Sequence, residues 1–198
     1  MKSQNYRRIR STLVIAGILL AFFSISVHAQ RDYFTPEEIE LIRDAQEIDR
    51  RIDVLTKAID RRFAVLKSNV GAPIIPKDEN SKWGELPQGS RAEMLLDIKL
   101  ILRKAIDDID SLAERPESAV ISPSRDPKKA KKVDDIFPKA VKNLAKAAER
   151  YQHVLKAELD KTTDTAEKGS ILETIEMCDD IIAAVSKLPT ALTKKKPD

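Results

Sequence analysis

The tightest constraint on this chain is a stretch from Thr35 to about Asn69 whose apolar residues return every three or four positions. Leu41, Ala45, Ile48, Ile52, Leu55, Ile59, Phe63 and Leu66 form the stripe, and Ile42 and Val65 widen it near each end. That period belongs to an α-helix with one buried side, not to a strand. Its start is marked. Thr35 is a capping hydroxyl, Pro36 occupies the first helical position, and Glu38 completes a capping box. The remaining faces are charged. Arg43 with Glu47, Glu47 with Arg51 and Asp53 with Lys57 stand four apart, each pair contributing about 0.3 kcal/mol. The spacing predicts one helix over 36–69, a rod of roughly 50 Å. Such a helix needs partners along its seam.

The rest of the chain supplies them. Ser90 and Glu93 make a second capping box, opening a helix with a seam at Leu95, Ile98, Leu102, Ala105, Ile109 and Leu112 that ends before Pro116. A third helix opens near Asp134, Asp135 or Pro138, with Val141, Leu144, Ala148, Tyr151, Leu155 and Leu159 as its seam. A fourth opens at Ser170, or earlier at Thr163 or Asp164, carries Ile171, Ile175, Cys178, Ile182 and Val185, and is closed by Pro189. Charged residues make up 34% of the chain and aromatics 5%, with five glycines, a profile that suits helices packed on helices. The expected fold is therefore all-α: an antiparallel four-helix bundle with a long first helix, one domain over 36–188, with linkers at 70–89 and 116–133. One echo runs through it: Leu55 to Arg61 resembles Leu144 to Arg150. A helical-hairpin duplication would explain this, as would the small alphabet of amphipathic helices.

Ahead of the bundle stand a basic stretch with Lys2, Arg7, Arg8 and Arg10, an apolar run from Leu13 to Phe23, and Val27-His28-Ala29 before Gln30. Together these make a secretory signal peptide over 1–29, cleaved between Ala29 and Gln30, with a short segment at 30–35 before the first helix. The alternative is an uncleaved N-terminal anchor, although Ser24 and Ser26 interrupt the apolar run. Arg7-Arg8 invites a twin-arginine route, but Arg10 stands where that signal takes an apolar residue, so general secretion is expected. The working protein would be periplasmic or extracellular. Removing 1–29 takes away four basic residues and no acid, leaving 31 Lys plus Arg against 32 Asp plus Glu. The net positive charge of the whole chain thus belongs to the signal, and the electrostatic case for a nucleic-acid partner fails.

No residue constellation points to catalysis. His153 is the lone histidine after the signal, and Glu149 lies four residues before it, not the three a di-iron bundle uses. Phosphate-cradling glycine loops and the nucleophile and zinc motifs are missing. Asp107, Asp108 and Asp110 do not share one helix face, so they read as solvated surface and not as a metal site. Neither a cofactor nor a metal is expected. Cys178, the single cysteine, falls on the fourth seam and reads as a buried small hydrophobe, with intermolecular pairing as the alternative. Two features suit contact. Trp83 and Leu86, in Trp83-Gly84-Glu85-Leu86-Pro87, either plug one end of the bundle or anchor a protein partner. Lys128, Lys129, Lys131 and Lys132 either form a solvated run or meet an anionic envelope surface. The functional expectation is an exported, non-enzymatic helical protein acting by protein–protein contact or self-association. Peripheral binding of anionic surfaces through the lysines is the alternative.

Overall fold

The structure, a computed structural model, describes residues 32–72, 81–121 and 132–188. The expected signal peptide over 1–29 with its Ala29–Gln30 cleavage point, Lys128, Lys129, Lys131 and the expected flexible basic tail at 189–198 lie outside the described residues. Among those described, every regular element is helical: α1 (Pro36–Asp44), α2 (Ile48–Val65), α3 (Arg91–Glu114), α4 (Val133–Leu159) and α5 (Thr165–Ala184), with short 3₁₀ turns at Ser81–Trp83, Pro116–Ser118 and Val185–Lys187.

Both expected capping boxes form. The Thr35 hydroxyl accepts from the Glu38 backbone N–H at 3.3 Å, and the Thr35 N–H donates to the Glu38 carboxylate at 3.0 Å. Ser90 and Glu93 repeat the arrangement at 3.3 and 2.6 Å. Asp164, one of the two earlier starts expected for the fourth helix, caps α5 by accepting from the Glu167 N–H at 2.9 Å.

The first helix is not continuous. It breaks at Ala45–Glu47, and α1 folds back along α2. Glu38 meets Arg61 and Arg62 through side-chain bonds. On a straight helix that separation would be roughly 35 Å. Nothing local forces the break, since Ala45, Gln46 and Glu47 are all tolerable in a helix. The break is held by side chains of α2. The Arg51 guanidinium donates to the Ile42 and Ala45 carbonyls, both at 3.2 Å, which satisfies acceptors that the end of α1 leaves open. The far end also stops short of Asn69. Leu66 caps α2, Lys67 takes a left-handed backbone with φ of 57°, and the Ser68 N–H reaches back to the Phe63 carbonyl at 2.9 Å. This is a Schellman ending with lysine where glycine is usual.

The directions of the four longer helices follow from their cross-links. Asp49 with Lys139 (2.7 Å), Asp53 with Asn143 (2.9 Å) and Asp60 with Arg150 (3.3 Å) all join residues 90 positions apart. A constant offset means that α2 and α4 run parallel and in register. Arg91 meets Glu167 at 3.1 Å and Lys99 meets Glu173 at 3.2 Å, so α3 and α5 are parallel too. By contrast α2 with α3, and α4 with α5, are antiparallel. Arg62 near the end of α2 faces Asp97 near the start of α3, while Gln152 of α4 bonds Asp179 of α5. The uniformly antiparallel arrangement expected from the sequence is therefore corrected: half of the side-by-side pairings are parallel. Loop length is the physical reason. The five residues 160–164 hold α4 and α5 as antiparallel neighbours, whereas 115–132 is long enough to carry the chain from α3 to the helix diagonally opposite. The echoing segments 55–61 and 144–150 thus lie on parallel neighbours, one residue out of step with the pairing register.

Between these helices lies one apolar core. Ile52, Leu55, Ile59 and Phe63 from α2, Ile98, Ile101 and Leu102 from α3, Leu144 and Tyr151 from α4, and Ile171 and Cys178 from α5 are all buried. Each large aliphatic or aromatic side chain so placed stabilises the fold by about 1.5–3 kcal/mol. Phe63 and Tyr151 stack with centroids 5.4 Å apart, and the Tyr151 hydroxyl donates to the Thr56 carbonyl at 2.9 Å, so its one polar atom is satisfied inside.

Candidate functional site

The most unusual chemistry in the structure is a charged cluster inside this core. Arg61 and Arg62 are consecutive on α2, so they leave the helix about 100° apart, and both are buried. Arg61 donates through Nε to Glu38 Oε1 at 3.1 Å and through Nη2 to the Glu85 carbonyl. Arg62 donates to the same carboxylate, to the Ala58 carbonyl at 3.0 Å and to the Tyr33 carbonyl, and its Nε stands 3.8 Å from Asp97 Oδ2. Two cations and two anions balance within one volume. Four stretches converge on the two guanidinium groups: the segment before α1, α1 itself, residues 81–90 and α3.

Glu38 is the hub. Its Oε2 closes the capping box at Thr35 while its Oε1 takes both arginines, so one carboxylate starts α1 and fastens it. Burial pulls the Arg61 guanidinium below its ordinary value, opposed by the Glu38 charge. It remains a cation under all ordinary conditions. On its other side Arg61 lies over the Trp83 ring, 5.5 Å from centroid to guanidinium carbon. The following turn depends on Gly84, whose φ is 61°. That left-handed backbone is what favours glycine; a Cβ there would meet only the flexible, exposed Glu37 side chain, 2.7 Å from its Cδ, which can swing aside.

Trp83, read as either a plug or a partner anchor, is 3% exposed, closing over α2 beneath the turn. In this conformation its ring is not a surface anchor. Leu86, three residues on, is 49% exposed. A crevice of about 280 Å³ between α1, α2 and the Ser81–Trp83 turn is lined by Leu41, Val54 and Trp83 together with Arg50, Lys57 and Lys82. Of the lysine run only Lys132 is described, exposed at the cap of α4.

A second polar knot ties the opposite end of α4 to its neighbours. Glu158 accepts from Ser68 at 3.0 Å and Lys161 at 2.9 Å and pairs with Arg91 at 2.8 Å, while Arg91 also reaches Glu167. His153 is exposed, and Asp108 pairs with Lys104 on its own helix. Among the described residues no group of three or more His, Cys, Asp or Glu is placed to hold a metal ion, and no helix is long and apolar enough to cross a membrane.

The arginine cluster escaped the sequence reading, although a signal was present. Glu38 lies three before Leu41, and Arg62 lies three after Ile59. Both therefore occupy seam positions, where a charge must find a buried partner. What the cluster can do is mechanical: it fastens α1 and the 81–90 turn onto α2. Comparison with protein-family models, with curated proteins and with solved structures finds no match to this chain.

Proposed function

We propose that the chain is an exported, non-enzymatic four-helix bundle that acts by protein–protein contact, as a structural, adaptor or chaperone-like component. One observation carries this reading. The unit made of α1 and the 81–90 turn is fastened by buried charge, yet Ile39 (40% exposed) and Leu86 (49%) stand out from it into solvent. Apolar side chains on a pre-ordered support lose little conformational entropy when a partner covers them.

Cross-linking of the exported protein in cells, followed by mass spectrometry of its neighbours, tests the proposal. Specific neighbours should be recovered with the natural chain and lost with Leu86→Asp. Recovery of the same neighbours from both removes Leu86 as an anchor, and recovery of monomer alone overturns the contact reading. The lysine-based alternative separates by salt. Binding to anionic vesicles through Lys128, Lys129, Lys131 and Lys132 should fade steeply between about 50 and 200 mM salt, whereas apolar contact should not.

A further inference from the structure

We propose that α1 is exchangeable: Ala45–Glu47 can close into helix, joining α1 and α2 into one rod, and two copies of the chain then trade α1 segments to form a symmetric dimer. This rests on the contact reading above and names its partner as a second copy.

The first support is a conflict between local sequence and local structure. Ala45, Gln46 and Glu47 break the helix without a glycine or proline among them; Gln46 is exposed with no side-chain hydrogen bond or ion pair among the described residues, while Glu47 is buried and pairs with Arg50 at 3.3 Å, one turn into α2. Leu41, Ala45, Ile48, Ile52, Leu55 and Ile59 keep their three- and four-residue steps across the break. A seam that ignores a bend describes a helix that can also be straight. Straightening would give the Ile42 and Ala45 carbonyls the backbone donors of Gln46 and Asp49 in place of Arg51, so no acceptor is orphaned.

The second support is that α1 is held by contacts indifferent to which chain supplies it. Glu38 meets Arg61 and Arg62 through side chains alone, and the three-residue hinge is the one covalent tie between α1 and that site. Because α1 lies antiparallel to α2, a straightened rod from one chain can lay its α1 on the α2 of another while receiving that chain's α1 in return. Two rods spanning 36–65 would then run antiparallel about a two-fold axis at the hinges, each roughly 45 Å long. The contact is isologous and closes at two copies. The hinge end also has apolar surface to cover. A crevice of about 190 Å³ there is lined by Gln46, Arg51, Leu112 and Val120, and Val120 is 47% exposed.

Sedimentation equilibrium on the exported chain and on its Gln46→Gly and Gln46→Ala variants tests this. Helix propensity must be met twice per dimer and not at all in the monomer. Gln46→Gly should therefore weaken the dimer roughly tenfold, while Gln46→Ala should hold or strengthen it, and the unfolding midpoint of the monomer should barely move in either. A dimer with the same affinity in all three overturns the exchange yet leaves self-contact standing. A chain that stays monomeric to about 1 mM overturns the exchange, and neighbours recovered by cross-linking would then still support contact with other proteins.

Discussion

Arg62 and Glu38 stand 24 positions apart and meet in the interior with 1% and 0% of their side chains exposed. A pair this deep gains from mutual attraction but has lost two hydration shells, so its presence says little about net stability. Its disruption says more. Glu38→Ala leaves Arg61 and Arg62 facing each other without the carboxylate they share, and removes one side of the capping box at Thr35. The expected loss is about 3–5 kcal/mol in denaturant-induced unfolding. A loss below about 1 kcal/mol would mean that the arginines reach water when α1 is released, and that α1 is only loosely fastened.

The acid limb of stability should be carried in part by Glu158. Burial alone would raise its carboxyl, but hydrogen bonds from Lys161, Arg91 and Ser68 outweigh burial and leave it below the ordinary value of 4.5. A carboxyl depressed in the folded state contributes stability that is fully present above the unfolded value and disappears as pH falls through the folded one. Asp60 works in the opposite sense, because burial raises its carboxyl against the pull of Arg150. It therefore favours the fold as pH falls. Denaturation measured from pH 6 down to pH 3 should show a shallower decline in Glu158→Gln than in the natural chain, with about 2 kcal/mol already lost at neutral pH. Parallel curves would show that Glu158 has no depressed titration.

How much of this was legible beforehand differs element by element. The two capping boxes, the all-helical class and the seams of α3 and α4 follow from local rules, because a cap or a period is satisfied within a few residues. The bend at Ala45–Glu47 was not legible, since it is held by Arg51 on the Ile42 and Ala45 carbonyls and by Glu38 meeting Arg61 and Arg62, 23 and 24 positions further along the chain. Helix direction was equally hidden. Asp49–Lys139, Asp53–Asn143 and Asp60–Arg150 are pairs at a separation of 90, and no local pattern says which of two amphipathic helices becomes a neighbour. The charged residues at seam positions were the one visible trace of the buried cluster. Glu38 signals a cap in the sequence, and in the structure it is both a cap and a fastener.

Lys67 offers a stabilising substitution. It holds a left-handed backbone, φ 57°, as the residue after the α2 cap. Its Cβ costs roughly 1–2 kcal/mol there, partly offset by the extra backbone freedom that glycine has when unfolded. Lys67→Gly should raise stability by about 0.5–1 kcal/mol in the same denaturant assay, whereas Lys67→Val should lower it. A neutral glycine variant would indicate that the lysine side chain makes a compensating contact.

Cys178 should be chemically silent until the protein opens. It is fully buried on α5, and burial, helped by the Asp179 charge, pushes its thiol up to about 12. The thiolate is the reactive form, so at pH 8 both its scarcity and its burial block attack. Labelling by a small disulfide reagent should proceed at the rate of opening and be accelerated by mild denaturant in step with unfolding. A non-reducing gel should show monomer. Rapid stoichiometric labelling of the folded chain, or a reductant-sensitive dimer, would mean that α5 detaches from α4 and α3 on its own. The core would then be divided where Tyr151, Ile171 and Cys178 now join it.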